Sequence, residues 1–471
     1  MQKQNRTRAA VLTVAVGTFM SALDSSVVNV VLPVIQSSYG VSLSAAGWVV
    51  IAYLLVISSL LLTFGRLSDL YGHRRIYIAG FAVFTAGSLL CGLSASILML
   101  IAFRVLQALG AGMMFSAGPA IITDAVPENV RGRALSVTAV AVAVALCSGP
   151  VLGGILAELA GWQSIFFINV PIGLVGTFLA ARNIPKDDKK VSGRFDILGS
   201  VMIFAALILI LTPLDLLGKE NLNPVLFYGM LAAGILAGIG FVFYEKKVEQ
   251  PILNIALFKS RVFAAGNFAA VFNFMAQNIM IFLAPFYLER LRLFSPATAG
   301  MLYMPMPLAT LLIAPVSGIA SDRYDSRYLC SGGMAVMAGG LVMLSYLKAD
   351  TPVWYIVTAM ALAGLGSGMF QTPNNSAVMG SVPAEYRGTA SGVLATMRNT
   401  GMVLGVAVSG ALFSLNYNRA GLLYGAQGLK AAELQQASFL YALHFTFLTA
   451  AGVALLSMLV SLKKGKVRTK L

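Results

Sequence analysis

One acidic residue, Asp24, lies inside the first long apolar stretch of the chain, FMSALDSSVVNVVLP at residues 19–33. An ionised carboxylate is costly inside a lipid bilayer, so acids within spanning helices usually face a cavity or a partner and serve a transport path. Asp24 is also the only acid that lies deep within an apolar stretch. It is therefore the residue best placed to bind and release a proton.

Arg104 and Gln107 are three residues apart in another apolar stretch and share one face of a helix. With a rise of about 1.5 Å per residue, Asp24 lies about 22 Å along its helix from one side, and Arg104 about 10 Å along its helix from the other. Because the bilayer core is about 30 Å thick, the two side chains can share one level.

An Asp24–Arg104 pair facing a cavity could carry a proton. The arginine favours the ionised carboxylate, desolvation favours the protonated one, and a change in water access switches between them. Two other interpretations stay open. The pair could be a static link between two helices, or Asp24 could cap a break in its own helix.

Three further polar residues are predicted at mid-depth. Asn273 and Gln277, four residues apart, form an uncharged face that could bind a ligand or a neighbouring helix. Arg398 lies about 14 Å deep. Two deep arginines against one deep aspartate favour neutral, zwitterionic or anionic substrates over dications.

The composition identifies the environment of these residues. The chain has 471 residues, of which 58% are hydrophobic and 11% charged, whereas soluble domains carry about 25% charged residues. It is therefore an all-α integral membrane protein. With about 20 apolar residues per crossing, we predict fourteen spans, at residues 9–35, 46–67, 76–95, 98–124, 133–157, 162–182, 196–215, 224–244, 262–288, 297–320, 328–347, 353–380, 389–414 and 437–462.

The basic residues predict the orientation. If the amino terminus is cytoplasmic, 25 of the 33 lysines and arginines fall in cytoplasmic segments, as the positive-inside rule requires. Both termini are then cytoplasmic. The net charge of +15 is spread over short loops rather than gathered in one basic domain, which excludes a nucleic-acid partner. The three cysteines are interpreted as packing residues, since their number is odd and their spacing irregular.

An internal repeat divides the chain. A shift of 256 positions superposes Gly110 on Gly366 and Arg131 on Arg387, so predicted helices 4 and 5 recur as helices 12 and 13. Two parallel six-helix halves with a substrate site near the midplane are typical of secondary transporters. We predict a first bundle at residues 1–182, a charged linker with two inserted helices at 183–261, and a second bundle with a cytoplasmic tail at 262–471.

Three motifs resemble those of the major facilitator superfamily. GRLSDLYGHRR at residues 65–75 is similar to the superfamily's loop signature, with His73 at the first basic position. Arg104 and Gln107 belong to a stretch that resembles the helix 4 motif. A third set of residues resembles the antiporter motif of helix 5: Gly149, Pro150, Gly153 and Gly154.

The stretch from Asp24 to Pro33, with Trp48, Tyr53 and the segment 166–173, is similar to the fourteen-helix drug:proton antiporters, the EmrB/QacA-like branch. The resemblance implies an exporter driven by the proton gradient, although that branch also includes carriers of ordinary metabolites. Ala108 and Ala145 depart from the pattern, since glycine is usual at both places.

The resemblance also implies a conformational latch. Its residues are Gly65, Asp69, Gly72, Arg74, Arg75 and Asp124. The arginines can reach carboxylates or the carbonyls at a helix end, and Asp69 can accept hydrogen bonds from a helix start. The simpler interpretation is a solvated run of charges. Likewise, the glycines and Pro150 of helix 5 could form a gate or only a close packing seam.

These features predict a proton-coupled antiporter that exports amphipathic drugs or other small organic molecules. The alternative is a dedicated carrier of one neutral or anionic metabolite, such as a flavin or an organic anion. The sequence has no paired deep carboxylates and no HExxH motif, so an enzyme is not expected. The expected partners are a small-molecule substrate, protons and the lipid of the cell membrane. No cofactor is expected, and one chain suffices for a carrier.

Overall fold

A computed structural model describes residues 2–127, 130–185, 197–216, 223–248, 255–383, 386–427 and 429–464. Within these ranges the chain forms sixteen α-helices and no strand. The helices are α1 (Gln2–Tyr39), α2 (Leu43–Tyr71), α3 (His73–Gly92), α4 (Ile97–Ala125), α5 (Arg131–Ala160), α6 (Ser164–Phe167), α7 (Asn169–Asn183), α8 (Ile197–Leu216), α9 (Pro224–Glu245), α10 (Arg261–Phe286), α11 (Pro296–Tyr303), α12 (Pro305–Arg323), α13 (Ser326–Ser345), α14 (Val353–Gly380), α15 (Arg387–Gly425) and α16 (Ala431–Leu462).

Long apolar sequences form helices here because a helix satisfies every backbone N–H and C=O within the segment, as hydrocarbon surroundings require. Local residues set the boundaries. The Ser96 side chain accepts a hydrogen bond from the Met99 N–H at the start of α4, 3.2 Å away. Gly72, between α2 and α3, has a φ of 100°, which a glycine adopts without strain.

Thirteen segments of the described chain are long and apolar enough to cross a membrane. The predicted span 196–215 coincides with α8, whose apolar stretch is shorter, Val201–Pro213. The all-helical multi-pass architecture is confirmed, and the fourteenth crossing stays a prediction.

Two predicted spans are broken in the structure. The span at 162–182 consists of α6 and α7, and the span at 297–320 consists of α11 and α12. The second break has a clear cause, since Pro305 is the first residue of α12 and lacks the N–H that would continue α11. A π-helix at Tyr287–Leu291 follows α10, and no sequence pattern predicted it.

The chain forms two compact units. Unit 1 contains residues 1–41, 48–204 and 295–300, and unit 2 contains residues 42–47, 205–294 and 301–471. The predicted domain boundaries therefore stay a prediction. Residues 186–196 of the predicted linker and 465–471 of the tail lie outside the described residues.

The internal repeat is visible in the helix packing of each unit. In unit 1, a methyl group added at Gly110 would lie 2.6 Å from the Gly80 carbonyl oxygen, so α3 and α4 are in backbone contact. In unit 2, a methyl group at Gly333 would lie 2.7 Å from the Gly366 carbonyl oxygen, where α13 and α14 meet. The repeated glycines thus hold equivalent helix pairs together.

Candidate functional site

Asp24 lies at the centre of a buried polar cluster in unit 1. The Asp24 cluster consists of Asp24 on α1, Ser88 on α3, Arg104 and Gln107 on α4, and Asn169 at the start of α7. Each of these residues is nearly or completely inaccessible, Asp24 being 2% exposed and Arg104 1%. Four helices therefore contribute side chains to one buried cluster.

The Asp24 carboxylate accepts three hydrogen bonds. Arg104 Nη1 lies 2.5 Å from Asp24 Oδ2, Gln107 Nε2 lies 2.8 Å from Oδ1, and Asn169 Nδ2 lies 2.9 Å from Oδ1. Charge-assisted hydrogen bonds of this kind are about twice as strong as neutral ones. The surroundings of Asp24 thus match an ionised carboxylate with donors on both oxygens.

Arg104 is held by more than its ion pair. Its Nη1 also donates to Gln107 Oε1 at 2.6 Å, and its Nε donates to the Val49 carbonyl at 3.2 Å. The guanidinium carbon lies 4.1 Å from the centre of the Tyr53 ring, a cation–π distance. Arg104 would therefore keep several partners if Asp24 lost its charge.

The structure brings together Asp24, Arg104 and Gln107, which the sequence had singled out. It excludes one interpretation of Asp24, because α1 runs unbroken from Gln2 to Tyr39 and contains no break for Asp24 to cap. Sequence reasoning missed Ser88, whose Oγ lies 2.7 Å from Gln107 Nε2. It cited Asn169 only as part of a family motif. The available signal was an amide inside a predicted span.

The predicted latch residues lie around the α2–α3 turn. His73 Nε2 is 3.9 Å from Asp69 Oδ1 and 3.7 Å from Asp124 Oδ2, and His73 Nδ1 is 3.0 Å from Ser68 Oγ. Burial raises the pKa of Asp69 above its ordinary value, while His73 and Arg66 oppose the rise. His73 thus lies within ion-pair distance of both acids.

The remaining latch residues have different surroundings. Arg74 Nη2 donates to the Ala181 carbonyl at 2.5 Å, near the end of α7, which is the kind of contact expected of the arginines. Arg75 is exposed and Gly65 is half-buried. Asp69 lies in the last turn of α2, three residues before Gly72, the N-cap of α3. The expected hydrogen bonds from a helix start to Asp69 stay a prediction.

The antiporter-motif glycines of α5 pack against α1 close to Asp24. A methyl group at Gly149 would lie 2.5 Å from Ser26 Oγ, and one at Gly153 would lie 2.8 Å from Val27 Cγ1. Pro150 lies inside the same helix. Gly154 lies against the backbone of Pro296, in the 295–300 segment of unit 1. This seam therefore lies within one turn of the residue that could bind a proton.

Three candidates lie in unit 2. Asn273 is completely buried, and its Oδ1 accepts a hydrogen bond from Ser367 Oγ at 3.3 Å. Its Nδ2 has no partner among the described residues. Gln277 is buried four residues further along α10. Arg398 lies on α15 with an exposed side chain, and the structure does not join it to the other two by a hydrogen bond.

The charged cluster belongs to one repeat only. The repeat places Met360 and Ala363 of α14 at the positions of Arg104 and Gln107, and both are buried and apolar. A buried ion pair costs desolvation energy that apolar packing avoids. Since unit 2 achieves the equivalent helix packing with apolar side chains, the fold itself does not require the charges in unit 1.

The sequence of this chain matches a known protein family. The family described as Major Facilitator Superfamily matches residues 14–406, and again 263–466. The chain belongs to this superfamily. Proteins of this family and fold are membrane transporters, not enzymes, so the chain is a transporter. The superfamily resemblance is thereby confirmed, while membership of the fourteen-helix branch stays a prediction.

Individual relatives cover most of the chain. The riboflavin transporter RibZ of Clostridioides difficile (strain 630) is 37% identical over 413 residues, which are 87% of this chain and 89% of RibZ. The multidrug resistance protein Stp of Mycobacterium tuberculosis (strain CDC 1551 / Oshkosh) is 30% identical over 415 residues, 87% of this chain and 76% of Stp.

A solved structure shares the fold. The crystal structure of a bacterial homologue of the human lysosomal transporter Spinster, in an inward-facing and unoccupied conformation, matches with a TM-score of 0.71 at 16% identity. The match covers 98% of this chain and 99% of that protein.

Proposed function

We propose that this transporter is a proton-coupled antiporter that exports small amphipathic organic molecules across the cell membrane by alternating access. The observation that carries the proposal is the Asp24 cluster, in which one buried carboxylate accepts hydrogen bonds from two other helices. The protein works as a single chain of the fourteen-helix branch, with both termini in the cytoplasm.

Protonation of Asp24 would reorganise this cluster. A protonated carboxyl group carries a hydrogen on one oxygen, so that oxygen becomes a donor and needs an acceptor. A proton on Oδ2 opposes the bond from Arg104 on α4, whereas a proton on Oδ1 opposes the bonds from Gln107 on α4 and Asn169 on α7. In either case the bonds to the other oxygen weaken, because the carboxylate loses its negative charge. Arg104 keeps its bonds to Gln107 and Val49. The charge state of Asp24 is thereby coupled to the arrangement of three helices.

The other motifs fit this cycle. The glycine seam lets α5 approach α1 next to Asp24, so a shift of α1 on protonation is passed to α5. The His73, Asp69 and Asp124 side chains at the α2–α3 turn form a latch that holds one conformation. Their contacts are exposed enough to break at modest cost.

A second candidate is favoured by one specific observation. RibZ, at 37% identity over 87% of this chain, is named as a riboflavin transporter, whereas Stp, at 30%, is named as a multidrug resistance protein. A dedicated carrier of one flavin-like metabolite is therefore the alternative function. Both candidates use the same transporter fold and differ in substrate range.

Both candidates can be tested in liposomes that contain the purified full-length protein and have an acidic lumen. We expect an antiporter to accumulate its substrate there while protons leave. The probes are riboflavin and the cationic dye rhodamine 6G, with a pH-sensitive dye trapped in the lumen. Accumulation of both probes supports the multidrug exporter, and accumulation of riboflavin alone supports the dedicated carrier.

The proton step is tested with Asp24→Asn, which we expect to lose gradient-driven accumulation while retaining exchange of labelled for unlabelled substrate without a gradient. The matched control is Asp350→Asn, the same chemical change at an exposed loop position. Normal gradient-driven accumulation by the Asp24→Asn variant would refute the proposed coupling of transport to protonation of Asp24.

A further inference from the structure

Arg398 differs from Arg104 in having no partner among the described residues. Arg104 is 1% exposed and binds Asp24, Gln107 and the Val49 carbonyl. Arg398 is exposed, and among the described residues it makes no hydrogen bond or ion pair. Within the described part of the chain, the Arg398 guanidinium therefore has neither a bound anion nor a hydrogen-bond acceptor.

The position of Arg398 indicates what it faces. It lies eleven residues into α15, about 17 Å from the helix start. An arginine at that depth is costly against lipid and normally faces the bundle interior or a water-filled cavity. The Arg398 side chain is accessible, although many protein atoms lie around it. Both observations fit a side chain that faces a water-filled space inside the protein.

Helix register in unit 2 identifies the level of Arg398. A methyl group at Gly401 would lie 3.0 Å from Val271 Cα, and one at Gly405 would lie 2.6 Å from the Met275 carbonyl oxygen. The helices α15 and α10 are therefore parallel, with residues 401 and 271 side by side. Arg398, three residues before Gly401, is level with residue 268 of α10.

A second side chain reaches the same level from α14. Asn374 donates to the Gly266 carbonyl at 3.1 Å, and Ser367 donates to Asn273 at 3.3 Å, so α14 is antiparallel to α10. Gln371 falls between these contacts, level with residue 269. Gln371 and Arg398 thus lie within about one residue rise, about 1.5 Å, of each other along the α10 axis.

Gln371 is also fixed in orientation. Its Nε2 donates to Ser367 Oγ at 2.8 Å, and Ser367 in turn donates to Asn273. The side chain is half-buried, so part of it remains accessible. Its amide still has a second N–H and a carbonyl oxygen for a ligand.

We propose that Arg398, with Gln371 at the same level, binds the anionic group of the substrate, so that the transporter selects small organic anions such as carboxylates and phenolates. The proposal rests on the proposed transport function and narrows its substrate class. A planar guanidinium with five donors matches a carboxylate in two-point geometry. Asp24 does not attract cations in competition, since Arg104 already neutralises it.

The test compares two dyes that share the xanthene ring system and differ in charge, fluorescein as the anion and rhodamine 6G as the cation. Binding to the purified full-length protein is measured by fluorescence polarisation in one buffer at a single pH, so no proton gradient is present. We expect wild type to bind fluorescein more tightly than rhodamine 6G. We expect Arg398→Gln to weaken fluorescein binding at least tenfold and to leave rhodamine 6G binding unchanged or stronger.

Two further variants sharpen the test. Arg398→Lys keeps the positive charge but loses the planar guanidinium that can donate two parallel hydrogen bonds. Fluorescein binding should therefore fall by less than in Arg398→Gln. Arg419→Gln removes an exposed arginine near the end of the same helix and should bind fluorescein like wild type.

Several results would overturn the assignment. They are no fluorescein binding by wild type, unchanged fluorescein affinity in Arg398→Gln, and equal weakening of both dyes by that substitution. The measurement needs no proton gradient, so Asp24→Asn should still bind fluorescein. Failure of proton coupling and failure of anion recognition therefore give different results.

Discussion

Neutralising Asp24 alone should destabilise the protein, whereas neutralising Arg104 as well should restore most of the lost stability. In Asp24→Asn the carboxylate becomes an amide, and the guanidinium of Arg104 stays buried without an anion. Removing one partner of a buried ion pair typically costs about 3–5 kcal/mol. Arg104 keeps its bonds to Gln107 and the Val49 carbonyl, so the loss should fall at the lower end, about 3 kcal/mol.

The double variant Asp24→Asn with Arg104→Gln removes the uncompensated charge. Two amides at these positions can hydrogen-bond to each other and to Gln107 and Asn169, so most of the lost stability should return. Replacing a buried ion pair by a neutral set is often close to neutral in stability. Neither variant has a titratable carboxylate, so both should lack gradient-driven transport.

The assay combines thermal unfolding of the purified protein with transport into liposomes, and Asp350→Asn serves as the control in both. The expected order of unfolding temperature places wild type and the double variant well above Asp24→Asn. A double variant that is stable and also transports along a proton gradient would show that the pair is only a static link between α1 and α4. The proton-carrier interpretation of Asp24 would then be refuted.

Two predictions concern packing and pH. Gly110→Ala should lower the free energy of unfolding by about 1–3 kcal/mol, because the new methyl group would lie 2.6 Å from the Gly80 carbonyl oxygen. The control Gly229→Ala adds a methyl group with nothing within 4 Å and should leave stability unchanged. Equal unfolding temperatures for the two variants would contradict the backbone contact between α3 and α4. Burial lowers the pKa of Lys464 below 10.5, so the unfolded chain binds its proton more readily and the unfolding temperature should rise with pH from the lowered pKa towards 10.5. Lys464→Met should remove that rise, whereas Lys463→Met, at an exposed position, should keep it. The same dependence of unfolding temperature on pH in both variants would contradict a lowered pKa for the buried Lys464 amine.

The sequence predicted most of the fold because lipid leaves few choices. Apolar stretches of about 20 residues in a bilayer form helices, since only a helix satisfies its own backbone there. The breaks within two predicted spans were not predicted, because an apolar stretch looks the same whether or not the chain turns slightly inside it. At Pro305 the signal was present, as proline at a helix start ends the helix before it.

The sequence by itself determined that Asp24 and Arg104 are unusual, because a charge in an apolar stretch is visible without a structure. Depth along each helix also allowed them to share a level. Only the tertiary structure decided which helix faces meet, and so which neutral residues join them. Ser88 and Asn169 carry no charge. A polar side chain inside a predicted span is visible in the sequence, but the sequence does not separate these two from amides and hydroxyls that bond to their own helix.

The same distinction applies to Arg398. The sequence showed a second deep arginine, but it could not show that one arginine is buried against a carboxylate while the other is accessible and unpaired among the described residues. That difference depends on helix rotation and register, which long-range packing sets through close contacts such as Gly401 against Val271. Residue type therefore determined which groups are costly in a membrane, and packing decided which of them remain available for a ligand.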